Sequence, residues 1–311
     1  MPFFSVVIPL FNKENYIFET VQNVLNQSFT DFELIIIDDG STDNSFNILK
    51  KITDPRLKIF KQKNQGVSTA RNIGIEYANG KYIALLDADD IWKYNHLTAL
   101  YNAINTIPVN GIYCTGYEVQ LAKNGTIRPA TYNNYTPTNI EIVPNYFEAS
   151  IINSVIWPSA SAFSKELFMD IGRFNVNLKA SEDLDFFTRA ALKYPIILNP
   201  NITMTYLRNT ENNLSKGQFN IDSEVYLSSF TEQERINKSL KKYLDVNRYA
   251  FVIRCKQINN KRWKIIKKQI NTKNLSFKQN ILLNTPGYLL KLLKKVHNYL
   301  INNNIYISSF K

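Results

Sequence analysis

Asp87, Asp89 and Asp90 follow the apolar run Tyr82 to Leu86, and a second acidic pair, Asp38 and Asp39, follows Phe32 to Ile37. Packing three carboxylates at one strand end creates a mutual repulsion that a turn does not require. A bound cation would relieve it, and a hard divalent ion with oxygen ligands suits the set. Gly40, Ser41 and Asp43 need no such explanation, because Gly and Asp punctuate turns and Thr42 or Asp43 can cap the next helix. If a nucleoside diphosphate sugar lies here, breaking its anomeric bond expels a diphosphate, and a divalent cation bridging the oxygens neutralises the developing charge. Asp38 or Asp39 could then accept hydrogen bonds from ribose or base, as acidic residues do at other nucleotide crevices. Arg71 could face base or phosphate, the alternative being a surface helix cation. The base that deprotonates an acceptor hydroxyl can be a carboxylate within hydrogen-bond reach. Ser181-Glu182-Asp183-Leu184-Asp185 offers three candidates, although helix capping and the macrodipole alone explain one of them.

The elements that position these residues show in the periodicity. Phe4 to Leu10, Phe32 to Ile37, Leu57 to Phe60 and Tyr82 to Leu86 read as buried strands. Between them Ile17, Val21, Val24 and Leu25 recur at helical spacing, as do Phe46, Leu49 and Ile52, and then Ala70, Ile73 and Tyr77. Alternating strand and helix imply a parallel, doubly wound α/β sheet, whose ligand crevice lies beyond the carboxyl ends of the strands. Strand one ends at Pro9-Leu10-Phe11-Asn12, so the five aspartates converge on that same edge.

In this order and spacing the segments resemble the family-2 glycosyltransferases with the GT-A fold, over roughly residues 4 to 215. The matching residues are Val6 to Asn12, Phe32 to Asp43, Asn64-Gln65-Gly66, Ala70-Arg71-Asn72-Ile73-Gly74, Gly80 to Asp90 and Glu182-Asp183. The resemblance implies a Rossmann-like, mostly parallel sheet flanked by helices and a metal-dependent hexosyltransferase acting on a nucleotide sugar, UDP-sugars being the family default. Pro9, Asp39 and Arg71 would contact the donor nucleotide with Phe11, Asp38 and Ala88 beside them. Asp87 would meet ribose or diphosphate, and Asp89 would ligate Mn²⁺ or Mg²⁺. Asp183 would be the catalytic base of a single displacement that inverts the anomeric carbon, with Glu182 and Trp157 at the acceptor. Trp157 has a second reading as a core residue. The acceptor class implied is a surface glycan or lipid-linked oligosaccharide. One departure stands out: many relatives carry a His metal ligand where alignment on Leu214-Ser215 puts Thr210. His96 and His297 are read as a helix-surface and a tail residue instead.

Composition frames the rest. Net charge is +11, but residues 221–311 hold 18 Lys/Arg against 5 Asp/Glu, a net of +13, leaving −2 for residues 1–220. The expected division is a catalytic domain over 1–220 and a basic, mainly helical region over 221–311. From Pro286, Tyr288, Leu289, Leu292, Leu293, Val296, Tyr299 and Leu300 share one helix face, with Lys291, Lys294, Lys295 and Asn298 opposite. Lys261 to Lys268 repeats the mixture. Such a face binds an anionic bilayer in-plane, although an ordinary packed helix with solvated lysines or a subunit contact would also account for it. Cys114 and Cys255, two in all, point to a reducing compartment. No signal-peptide pattern opens the sequence and no apolar run spans a bilayer. The expected location is cytoplasmic, peripheral on the inner membrane face. A sugar nucleotidyltransferase would need a Gly-rich basic loop after strand one, which Pro9-Leu10-Phe11-Asn12-Lys13 lacks. A nucleic-acid binder built on the tail has no zinc-ligand spacing or RNA-binding motif behind it.

Overall fold

The computed structural model describes residues 1–120, 127–208, 210–211 and 223–302, with side chains up to residue 300. The Leu214-Ser215 alignment anchor lies outside these residues. Among the described residues ten strands form one sheet: β1 Phe4–Leu10, β2 Phe32–Asp38, β3 Leu57–Lys61, β4 Tyr82–Leu85, β5 Ile91–Trp92, β6 Ile112–Gln120, β7 Ile127–Pro129, β8 Glu141–Ile142, β9 Ser161–Ser164 and β10 Ile196–Leu207. The order is β3-β2-β1-β4-β9-β6-β10-β5, with β7 on β6 and β8 on β10. From β3 to β4 the pairing is parallel, as the alternation implies, and β10 also lies parallel to β6. Strand β9 inserts antiparallel to both β4 and β6, making the sheet mixed beyond β4.

Strands β1 and β2 are buried on both faces because helices cover each side. One face packs α1 Ile17–Leu25, α2 Ser45–Leu49 and α4 His96–Thr106 onto Val6, Ile8, Leu34 and Ile36. On the other face, α3 Val67–Tyr77, α5 Tyr146–Ala149, α6 Lys165–Asp170 and α7 Glu182–Ala191 cover Val7, Ile35 and Leu85. Helix α3 sits unusually close to the sheet: a Cβ on Gly74 would lie 2.4 Å from Val7 Cγ1. That approach draws Arg71, on the preceding turn, into the protein.

Two expectations need correction. Strand β3 is not a buried strand; its residues are partly or fully exposed because it forms the sheet edge with β2 alone beside it, and Lys58 and Lys61 guard that edge. His96 is not on the surface. It is fully buried, its ring stacked 4.2 Å from Trp92 and its Nδ1 2.8 Å from Thr203 Oγ1. Burial pushes its pKa down to about 3, so it is a neutral packing residue.

Helices α8 Ser223–Ser228, α9 Thr231–Ile236, α10 Lys238–Gln257, α11 Trp263–Lys268, α12 Phe277–Asn284 and α13 Gly287–Asn302 complete the described chain. Helix α10 is their spine, placing Leu240, Tyr243, Leu244 and Val252 in the same hydrophobic cluster as Val7 and Leu85. Its Arg248 is buried and paired with Glu234 at 2.6 Å and Asp245 at 3.4 Å. Helix α13 buries Leu290 but leaves Tyr288, Leu292, Val296 and Tyr299 exposed. Among the described residues no helix is long and apolar enough to cross a membrane.

Candidate active site

The four-residue turn Asp87-Ala88-Asp89-Asp90 follows β4, and each of its carboxylates meets a different partner. Asp87 Oδ1 accepts from Arg71 Nη2 at 2.7 Å. Asp89 Oδ2 accepts from Lys13 Nζ at 2.6 Å and from the Thr210 hydroxyl. Asp90 turns inward, fully buried, accepting from Ser159 Oγ at 2.6 Å and Trp157 Nε1 at 3.4 Å. Burial first, then Asp87 and Asp89, raises the Asp90 carboxyl well above its ordinary value. The repulsion read from the sequence is therefore offset at Asp87 and Asp89 by one cation each, Arg71 and Lys13, and persists at Asp90 as its raised pKa. Ser159 pins the turn further, since its Oγ accepts from Asp87 N at 3.0 Å.

Arg71 is the hub of the site. At 3% exposed it is no surface cation. Its Nη2 reaches Asp87, and its Nη1 donates to Glu182 Oε1 at 3.0 Å, 111 residues away in sequence. Burial pulls the guanidinium pKa down, but Asp87 and Glu182 outweigh it and push it up, so the cation stays charged. Glu182 and Asp183 open α7 directly after Ser181, a non-glycine residue held at φ 65°. Such left-handed backbone strain in a non-glycine residue clusters at functional sites. Burial pushes the Glu182 carboxyl up to about 7, with Asp183 adding to the rise and Arg71 opposing it. Asp183 is raised too, chiefly by burial, against Arg71 and a 2.8 Å bond from Leu184 N. A carboxylate made more basic in this way is better matched to taking a proton from a hydroxyl near neutral pH. Asp185 instead turns to Arg189, at 2.8 Å.

The remaining residues divide between crevice and scaffold. Asp39 is buried and braces the loop before α3, accepting from Gln62 Nε2 at 2.7 Å, Gln65 N at 2.8 Å and Gly66 N at 2.8 Å. Asp38 is fully buried; Oδ1 accepts from Ser41 N at 2.9 Å, and Oδ2 lies 3.8 Å from Lys61 Nζ. Pro9 is part-buried, Phe11 is exposed at the end of β1, and Ala88 is buried within the acidic turn. Trp157 is half-buried between Tyr117 and Tyr206, with ring centroids 5.3 and 4.4 Å away. His297 lies part-buried on α13, on the tail as expected. Sequence reasoning missed Lys13 and Ser159. A cation three residues beyond the end of β1, on the edge where the aspartates converge, was the available signal for Lys13.

Among the described residues, no three His, Cys, Asp or Glu side chains gather to share a metal. The acidic turn keeps two carboxylates that are not fully buried, Asp87 and Asp89, which fits a hard cation that arrives with diphosphate oxygens and keeps its waters, since such ions are commonly held by one or two carboxylates plus substrate phosphates.

The sequence pattern described as "Glycosyl transferase family 2" matches residues 5–172. An uncharacterized glycosyltransferase of Rickettsia felis is 27% identical over 260 residues, covering 80% of this chain and 42% of that protein. An uncharacterized glycosyltransferase of Rickettsia bellii is 44% identical over 94 residues, 30% of this chain and 14% of that one. The Bacillus subtilis glycosyltransferase TuaG, named for teichuronic acid biosynthesis, is 42% identical over 99 residues, 31% of this chain and 39% of its own. The chain thus spans less than half the length of each of these relatives. Among solved structures, Staphylococcus aureus TarS superposes with a TM-score of 0.62 at 18% identity, over 95% of this chain and 54% of TarS. Its 1–349 portion, in complex with UDP-GlcNAc, gives 0.56 at 16% identity, over 98% of this chain and 93% of that one. This likeness establishes the fold, a GT-A sheet with C-terminal helices.

Proposed function

The chain belongs to glycosyl transferase family 2, and from that premise we propose that it moves a sugar from a nucleoside diphosphate sugar, a UDP-sugar first among them, onto a hydroxyl of a surface glycan or lipid-linked oligosaccharide, inverting the anomeric carbon. The observation that carries this reading is the buried Arg71 guanidinium, which ties Asp87 of the acidic turn to Glu182 beside Asp183. It joins carboxylates from distant segments beyond the carboxyl end of β4, the side on which parallel sheets bind ligands. The name of TuaG and the UDP-GlcNAc bound by TarS support this choice of substrate class.

Residues 1–220 form the catalytic unit in this reading. Asp183 takes the proton from the acceptor hydroxyl as it attacks, and Glu182 and Trp157 orient that acceptor. Asp87 faces the ribose or diphosphate. Pro9, Phe11, Asp38, Asp39, Arg71 and Ala88 frame the donor nucleotide, Asp39 through the Gln62 to Gly66 loop it braces and Arg71 through its hold on Asp87. Asp89 would hold Mn²⁺ or Mg²⁺, which when bound neutralises charge on the departing diphosphate. A panel of UDP-, GDP- and dTDP-sugars with Mn²⁺ should give nucleotide release from one of them, lost on adding EDTA and restored by Mn²⁺. Release unaffected by EDTA removes the metal role, and release from none removes the donor reading.

Residues 221–311 would bring the chain to the cytoplasmic face of the cell membrane. The exposed stripe of α13, Tyr288, Leu292, Val296 and Tyr299, is flanked by Lys291, Lys294 and Lys295, the layout of a helix lying in an anionic interface, where each nearby cation contributes ~1 kcal/mol. Anionic liposomes are expected to sediment the intact chain but not a variant with Leu292, Val296 and Tyr299 all changed to Ser. Equal behaviour of the two contradicts a membrane role for this face.

A further inference from the structure

Lys13 stands at the centre of a link that the donor site does not by itself require. Its backbone N donates to Ser45 Oγ at 2.9 Å, anchoring the stem beside α2. From there the ammonium reaches Asp89 Oδ2 at 2.6 Å and the Glu211 carbonyl at 2.9 Å. Both members of the ion pair are largely shielded, the lysine side chain 11% and the aspartate 13% exposed. Thr210 donates to the same aspartate oxygen, Asn15 Nδ2 donates to Glu211 Oε2 at 2.8 Å, and Tyr16 OH accepts from Glu211 N at 3.4 Å. The loop after β1 and the segment after β10 are thus stitched together across Asp89.

Lys13 and Thr210 both take Oδ2 of Asp89, and a divalent ion brought to either oxygen of that carboxylate would lie within a few Å of the ammonium, where the two cations repel strongly. We propose that Lys13 is a resident counter-cation of Asp89, which a divalent metal must displace in order to bind, so that metal entry also frees the ammonium from Glu211 and loosens the stitch between the two segments. The inference rests on the reading of Asp89 as the metal ligand. A lysine suits the part, because its compact charge rides on a flexible four-carbon stem and can swing away without disturbing the backbone that Ser45 holds. While Lys13 occupies Asp89, the metal sees only the fraction of molecules in which the carboxylate is free, and its apparent affinity falls by that fraction.

The test is Mn²⁺ binding to the protein saturated with UDP, which cannot turn over, followed by the loss of the free-ion electron paramagnetic resonance signal and set against a protein-free mixture of Mn²⁺ and UDP, so that no turnover enters the readout. Lys13→Met keeps most of the stem and removes the charge, and it is expected to bind Mn²⁺ about tenfold more tightly than wild type. Asp89→Asn should bind far more weakly than wild type, and the double variant should match Asp89→Asn. Lys13→Met should also melt somewhat lower, having lost a shielded ion pair. A lower melting temperature with unchanged Mn²⁺ affinity would mean that Lys13 is structural only, and the proposal fails while Asp89 keeps its role. Unchanged binding in Asp89→Asn would overturn the metal reading and this inference with it.

Discussion

Asp183→Asn is expected to keep donor binding close to that of wild type and to slow sugar transfer by about 10²–10⁴-fold, the range that a positioned general base contributes. The substitution preserves shape and the bond from Leu184 N while removing the proton acceptor. Because burial raises the Asp183 carboxyl, wild-type transfer should also fall as the medium is acidified through its raised pKa, where the base becomes protonated. The variant should lose that dependence. Equilibrium binding of UDP together with single-turnover transfer separates the two effects. An Asp183→Asn protein with normal transfer would dismiss it as the base.

Arg71→Met should be the most damaging single change to the architecture of the site. It leaves Asp87 without its guanidinium partner and strands Glu182, which is buried. Breaking a buried ion pair from one side costs up to about 3–5 kcal/mol, a cost reached only where Glu182 stays ionised, because below its raised pKa the stranded carboxyl takes up a proton instead. The pH dependence adds a signature. Between its ordinary 4.5 and about 7, Glu182 is protonated in the folded chain and ionised in the unfolded one. Its contribution to stability therefore falls as pH rises through that window. Removing Arg71 takes away the charge that opposes the upward shift, so the window extends and the melting temperature should go on falling to a higher pH than in wild type. Thermal melts at several pH values read both effects. A double variant with Glu182→Gln should recover part of the loss, because a neutral amide tolerates burial better than an unpaired carboxylate. A single variant as stable as wild type at neutral pH would show that the Arg71 bridge carries no load.

How much of this was legible in the sequence follows from the range over which each feature is decided. The parallel strands were readable because β1 and β2 are buried on both faces, which writes itself as continuous apolar runs. Strand β3 has one neighbour, and its Lys58 and Lys61 were the local sign, passed over, that it lies at an edge. The acidic turn after β4 was readable for the same local reason. Where each carboxylate would point was not, since Asp90 is turned inward by Ser159, 69 residues later, and Asp89 is held by Lys13, 76 residues earlier. Arg71 looked like a surface cation by type, yet Gly74 lets α3 settle onto Val7 and carries the arginine inside. His96 likewise opens a helix in a polar setting but is covered by Trp92 and Thr203. Thr210 reaches Asp89 across 121 residues of sequence, a contact no local pattern announces. The tail periodicity from Pro286 appears as helix α13, whose apolar stripe is exposed in the described chain.

The account depends on carboxylates from separate segments serving one nucleotide-sugar crevice. A crystal of the intact protein soaked with UDP and Mn²⁺ tests it most directly. Manganese density on the Asp89 carboxylate, bridged to the diphosphate with Asp87 at the nucleotide and Lys13 withdrawn, is the expected result. UDP bound elsewhere, with Arg71 still on Asp87 and Lys13 still on Asp89, would contradict it.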